Sequence, residues 1–342
     1  MIKDKFTFID LFAGIGGFHL AMHSAGGKCV FASEWDKYSR ITYEANYKSF
    51  SPELFENGNF NWDINDVDPE KVPDFDVLCA GFPCQPFSQA GLKKGFEDTR
   101  GTLFFNIAEI ISTKIKNKKP PKVLLLENVK GLKGHNKGKT LEKIIAVLNE
   151  LGYHVDFKIL NSKYFGVPQN RERIFIVAWL NNLKGPMKFN FPLGLDKNNS
   201  PIFDSDELLK QFKPVKVGDI LQPNADKKYT ISDKLYSGHL RRLEKHREKG
   251  NGFGFSMFNT ESTYTSTISA RYYKDGSEIL IQQHEKNPRK LTPTEAGLLQ
   301  GYPVKKEFNI VVSDVQAYKQ FGNSVSVPVV RAIAEEITKQ LL

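Results

Sequence analysis

Phe8-Ile-Asp-Leu-Phe12 runs straight into Ala13-Gly-Ile-Gly-Gly-Phe18, so a β-prone apolar run passes through a glycine turn into a helical pattern. Glycine at such a handover lets a ligand approach the backbone closely. The third glycine of the dinucleotide fingerprint is missing. Glu34 ends the next β-prone run, where an acid can hold ribose hydroxyls, and Trp35 beside it is able to pack on a purine. On these residues alone two readings stay open, a nucleoside-cofactor turn and an ordinary tight turn followed by a surface glutamate.

Outward from that turn, residues 1–180 alternate short β-rich runs with helical spacing, the grammar of an α/β fold with helices on both faces of a sheet. Strands are expected at Thr7 to Leu11, Lys28 to Ser33, Val77 to Ala80, Val123 to Glu127, His154 to Leu160 and Arg173 to Trp179. Apolar residues recurring at three and four predict helices at Phe18 to Ser24, Lys37 to Asn46, Thr102 to Lys114 and Thr140 to Leu151. From 181 to 288 the punctuation turns to Pro, Asn, Asp and Gly, with short strand candidates at Thr265 to Tyr273 and Glu278 to Gln282. Helical grammar returns at Thr292 to Gln300, with Thr292 placed to cap Pro293, and at Pro328 to Leu342. The expected organisation is therefore a doubly wound, mostly parallel sheet built from 1–180 plus 289–342, with a smaller domain at 181–288.

The 342 residues, 40% hydrophobic and 25% charged, are ordinary globular composition. The formal charge of +9 points to a polyanionic partner, although a lysine-rich chain can be basic without one. The excess clusters: Lys114 to Lys143 holds ten lysines against Glu127 and Glu142, and Lys234 to Lys249 is a second basic patch. Three cysteines without zinc-like spacing exclude a disulfide framework and point to no metal, which fits a reducing cytoplasm. The N-terminus lacks a signal-peptide pattern, and no apolar run reaches membrane length.

Gly81-Phe-Pro-Cys-Gln-Pro-Phe-Ser88 follows the apolar Val77 run, which sets Cys84 at the carboxyl edge of the sheet on a proline-stiffened loop. Cys29 and Cys79 lie inside β-prone runs and read as core residues. A lone Cys84 would read as structural too. Leu124-Leu-Leu-Glu127-Asn-Val129 ends an apolar strand with a carboxylate. Burial would raise its pKa toward the range of proton transfer; a strand-end acid facing water is the alternative. In Gln169-Asn-Arg171-Glu-Arg173 the two arginines project to one face, as forks for a phosphate or carbonyl oxygen or as an exposed pair.

Taken together and in order along nearly the whole chain, these residues resemble the C5-cytosine-specific DNA methyltransferase family, bacterial type II and Dcm-like. The glycine turn, the proline-cysteine loop, Glu127-Asn-Val129 and Gln169 to Arg173 look like its motifs, as do Arg289-Lys-Leu-Thr-Pro-Thr-Glu-Ala296 and Gln320-Phe-Gly-Asn-Ser-Val325. The resemblance implies the S-adenosylmethionine-dependent methyltransferase fold, with S-adenosyl-L-methionine as methyl donor. It assigns that donor to Phe12, Ala13, Gly14, Ile15 and Gly17, with Glu34 on ribose, Trp35 against adenine, and Asp63 and Ile64 at the adenine amino edge. Pro83, Leu103, Asn323 and Ser324 complete the pocket.

The chemistry it implies starts with Cys84, whose thiolate adds to C6 of a cytosine flipped out of the duplex, with Glu127, Arg171 and Arg173 at the base edge. Gln85, Ser88, Lys93, Lys94, Arg100 and Arg271 are assigned to DNA, the segment Gly91 to Gly101 as a loop closing over the base. Segments Gly250 to Phe255 and Thr267 to Leu280 are similar to recognition regions of Dcm-type enzymes, implying a CC(W/N)GG-like site methylated at its inner cytosine. The expected partner is double-stranded DNA, methylated by a monomer in a restriction-modification system whose endonuclease acts separately. The expected place is the bacterial cytoplasm at the nucleoid. The main rival is a transfer-RNA cytosine-5 methyltransferase, against which the long recognition segment argues. A nicotinamide oxidoreductase leaves Cys84, Glu127 and Arg173 unexplained.

Overall fold

The computed structural model describes residues 4–83, 103–181, 183, 188–250, 254–304 and 306–341. Its centre is a seven-stranded sheet of β1 (Phe6–Leu11), β2 (Gly27–Ser33), β3 (Phe60–Asn61), β4 (Val77–Gly81), β5 (Val123–Val129), β6 (Tyr153–Asn161) and β7 (Glu172–Leu180). The order is β3-β2-β1-β4-β5-β7-β6. The β1–β2, β1–β4, β2–β3 and β4–β5 pairs are parallel, whereas β7 runs antiparallel between β5 and β6.

The alternation of a strand explains the layering. Val123 and Leu125 of β5 join the apolar cluster on one face, and Leu124 and Leu126 join the cluster on the other. A strand buried on both sides reads as a continuous apolar run. The first face is covered by α1 (Gly17–Ser24), α2 (Lys37–Tyr47) and α3 (Pro52–Glu56); the second by α4 (Leu103–Lys116) and α5 (Lys139–Glu150). Order along the sheet reverses between β1 and β4, so the crevice beyond their carboxyl ends is where such a sheet binds ligands. The expected strands and helices of this part all form, with ends shifted by one or two residues.

Beyond β7 come β8 (Gly194–Leu195), β9 (Pro201–Ile202), α6 (Ser205–Gln211), α7 (Asp233–Glu248), β10 (Met257–Phe258), β11 (Leu280–Gln283) and β12 (Lys286–Arg289). Thr265 to Tyr273, expected as a strand, is not one. Only Thr265 bridges, to Gln169, and side chains take the next backbone groups: Gln169 Oε1 accepts from Ile268 N (3.0 Å), and Arg171 donates to Ile268 O (3.1 Å). Phe189, Phe191, Val217, Ile220, Tyr272 and Ile281 of this segment share the apolar cluster of the first sheet face.

The chain then forms α8 (Pro293–Leu299), α9 (Asp314–Asn323) and α10 (Val327–Leu341), the last packing against α1. Thr292 caps α8 as expected, accepting from Glu295 N while the Glu295 carboxylate accepts from Thr292 N. No helix among the described residues is long and apolar enough to cross a membrane.

Candidate active site

A cavity of about 1290 Å³ opens at the carboxyl ends of β1, β2, β4 and β5. The volume exceeds what one drug-sized ligand occupies, which leaves room for a cofactor and a second group side by side. Its first wall is the glycine turn. Phe12 and Gly14 both sit at a φ of 56°, and apart from the chain neighbours no atom of the described residues lies within 4 Å of where a Gly14 side chain would begin. Gly16, at 79°, is packed under the Tyr47 ring, whose hydroxyl donates to Gly16 O (2.7 Å).

Glu34 directly follows β2 on the same wall. Its carboxylate accepts from the amides of Gly14 (2.7 Å) and Asp36 (2.8 Å), so it stiffens the turn. Burial raises its pKa, and those two amides oppose the shift. Trp35, next along, leaves 74% of its surface exposed at the cavity rim. Asp63, Ile64, Pro83, Leu103, Asn323 and Ser324 all line the cavity, as do Ala13, Ile15 and Gly17.

The second wall comes from β4, β5 and β7. Gly81 pairs with Glu127 in the β4–β5 register, on the face that carries Cys79 and Leu125. Glu127 is buried, which raises its pKa; Arg173 and then Arg171 pull the other way. Arg173 Nε lies 3.2 Å from Glu127 Oε1. The strand-end acid therefore does not point at open water. Nor are the arginines an exposed pair. Arg171 is fully buried, with Nη1 on Ile268 O (3.1 Å) and Nη2 on Gly322 O (3.1 Å) and Ser324 O (2.7 Å). Its guanidinium thus ties the segment after Thr265 and the end of α9 to the start of β7, and its two amino groups are not a free fork. Arg271 stands exposed at the rim.

Cys84, Gln85, Ser88, Lys93, Lys94 and Arg100 lie outside the described residues. Pro83, the neighbour of Cys84 in the chain, lines the cavity, and Asn128 Nδ2 donates to Phe82 O (2.7 Å), fixing the backbone that leads there. Sequence reasoning passed over Asn128 and also Tyr302, whose hydroxyl sits 2.5 Å from Ser324 Oγ. Asn128 follows Glu127 directly, which was a usable signal; nothing local marks Tyr302. Cys29 and Cys79 are free thiols in the core, as expected.

The mostly parallel sheet with one antiparallel strand, whose crevice joins the glycine turn and Glu34 to a buried carboxylate–guanidinium pair, has the fold of the S-adenosylmethionine-dependent methyltransferases. The chain belongs to the C-5 cytosine-specific DNA methylase family, whose model matches residues 6–339. It is a DNA (cytosine-5-)-methyltransferase.

Among its relatives, type II methyltransferase M.NlaX of Neisseria lactamica is 52% identical over 98% of this chain and 97% of its own length. Type II methyltransferase M.SsoII of Shigella sonnei is 50% identical over 98% and 81%. Among solved structures, a DNMT2 variant of Spodoptera frugiperda aligns over 98% of this chain and 99% of its own with a TM-score of 0.71, and at 23% identity that likeness concerns the fold alone.

Proposed function

We propose that the enzyme flips a cytosine out of a CC(W/N)GG-like duplex site and methylates C5 of the inner cytosine, with S-adenosyl-L-methionine as donor, within a restriction-modification system. The observation that carries this is the shared cavity. Glu127, paired with Arg173, faces the same space as the glycine turn and Glu34, and the loop leading to Cys84 opens into it.

The residues present fit the donor. Open room beside Gly14, the held carboxylate of Glu34 and the exposed indole of Trp35 match a backbone approach, a ribose and a purine. When bound, the donor supplies a methyl group on a sulfonium, ready for attack by a carbon nucleophile.

Cytosine C5 is a weak nucleophile, so the ring must first receive electrons. In the proposed cycle the Cys84 thiolate forms a bond to C6, and the electron pair displaced from the C5–C6 double bond builds at C5. Glu127 protonates or hydrogen-bonds N3; burial favours its protonated form, and Arg173 holds both Glu127 and the base oxygen. C5 takes the methyl group, then loses its proton to a base as the C6–S bond breaks and Cys84 leaves as thiolate. Arg171 acts as a positioning residue through the carbonyls it gathers. Gln85, Ser88, Lys93, Lys94, Arg100 and Arg271 are proposed to contact DNA, and residues 181–288 to read the site, the exposed basic side of α7 meeting phosphates.

The test is incubation with duplex DNA carrying 5-fluorocytosine, where fluorine blocks the final elimination. A denaturation-resistant adduct is expected with the wild type and none with Cys84→Ala. An adduct that survives the alanine change, or labelling of transfer RNA in preference to duplex DNA, overturns the reading.

A further inference from the structure

Two exposed indoles line the cavity, Trp35 and Trp62, and only Trp35 has a role in the reading above. Ser33 pairs with Asn61 across the parallel β2–β3 ladder, and Glu34 N donates to Asn61 O (3.1 Å). By that register Trp62, the residue after Asn61, is level with Glu34, and Trp35 follows one residue further along the neighbouring chain. Both line the cavity, 74% and 56% exposed. Large indoles left open in a concave site are surface that a flat ligand would cover.

Trp62 is also built in. The Tyr43 ring stacks on Phe60 (4.6 Å between centroids, 21°), and the Arg40 guanidinium lies 3.9 Å from the Phe60 centroid and 4.2 Å from that of Trp62. Ring and cation–π contacts thus run from buried Tyr43 through Phe60 and the Arg40 guanidinium to exposed Trp62. Arg40 is fixed in turn by donating to the carbonyls of Glu34 (3.1 Å), Phe60 (3.0 Å) and Asn61. The same guanidinium holds the backbone of the ribose-side acid and one face of the Trp62 ring.

We propose that Trp62, preorganised by Arg40 as its positioning residue, is a second aromatic wall for the adenine of the cofactor, facing the pocket together with Trp35. This rests on the cofactor reading above. A cation stacked on an indole holds it at little entropic cost, and a wall fixed before the ligand arrives raises affinity by lowering the cost of ordering.

The experiment is calorimetric titration of the full chain, without DNA, with S-adenosylmethionine and with adenosine. Trp62→Ala is expected to weaken both about tenfold or more, Trp62→Phe to stay within about threefold of wild type, and Arg40→Lys to fall between, with duplex DNA affinity unchanged in all three. A spectroscopic arm separates stacking from a structural effect. Of the three tryptophans, Trp179 is buried in β7, so in Trp35→Phe the exposed indole is Trp62. Its emission is expected to be quenched by adenosine, and the response to vanish in the Trp35→Phe, Trp62→Phe double variant. Wild-type affinity in Trp62→Ala, with normal binding by the parent, overturns the inference and leaves the cofactor reading standing. Absence of binding by the parent itself overturns both.

Discussion

At the scale of single residues, charge inside the sheet is the sharpest feature. Asp10, the penultimate residue of β1, is fully buried, and among the described residues no group makes a well-formed hydrogen bond to either carboxyl oxygen, the His19 amide being only nearby. Burial pushes its pKa well above 3.8, the His19 backbone amide offsetting only part of that. The sign follows from proton linkage. The folded state holds this proton more tightly than the unfolded chain does, so the stability it contributes is present below the unfolded value and is lost as pH rises through the folded one. Asp10→Asn removes that loss. Its stability relative to wild type is expected to improve with rising pH above 3.8, by at most about 1.4 kcal/mol per unit, in urea melts run across pH. A flat difference would mean that Asp10 has found a partner. For Glu127, the Gln variant keeps the shape and cannot give a proton. Turnover is expected to fall about 10²- to 10⁴-fold while duplex binding, read by gel shift, stays within a few-fold.

At the scale of elements, the joints matter more than the helices and strands themselves. Arg289 at the end of β12 grips Glu295 of α8 through two bonds of 2.7 and 2.8 Å, both side chains buried, and Glu295 also accepts from the amides of Gln222 and Thr292. Removing one partner leaves the other charge buried and uncompensated. Glu295→Ala should cost about 3–5 kcal/mol in denaturant unfolding, and Glu295→Ala with Arg289→Met less than the sum. The turn between β1 and α1 is the other joint. A side chain at Gly16 would begin 2.2 Å from the buried, hydrogen-bonded Tyr47 ring, on a backbone already left-handed. Gly16→Ala therefore loses at least the roughly 1–2 kcal/mol of that conformation, visible as a lower melting temperature and weaker cofactor binding.

At the scale of the whole molecule, a net charge of +9 makes DNA affinity salt-dependent: the logarithm of affinity should fall linearly with the logarithm of salt, and neutralising Arg241 and Lys245 on the exposed side of α7 should flatten the slope by roughly 2 units. Bisulfite sequencing of DNA from expressing cells is expected to find methylation at the inner cytosine of CC(W/N)GG-like sites, and methylation in an unrelated context would discard that target. Central strands such as β5 were legible because burial on both faces leaves continuous apolar runs, and α8 because its cap is written in Thr292 and Glu295. The run from Thr265 to Tyr273 misled because its β-prone composition says nothing of Gln169 and Arg171, which take up its backbone groups from about a hundred residues away. By itself the sequence determined six of the seven strands of the sheet, the glycine turn and which residue types stand at strand ends, since these depend on local alternation and turn chemistry. Only the tertiary structure decided that Arg171 is a buried tie while Arg173 meets Glu127, and that Trp62, with a guanidinium on its ring, lines the same cavity as Trp35. Those outcomes depend on register between strands and on which carbonyls a folded chain brings within reach, and neither is encoded in neighbouring residues.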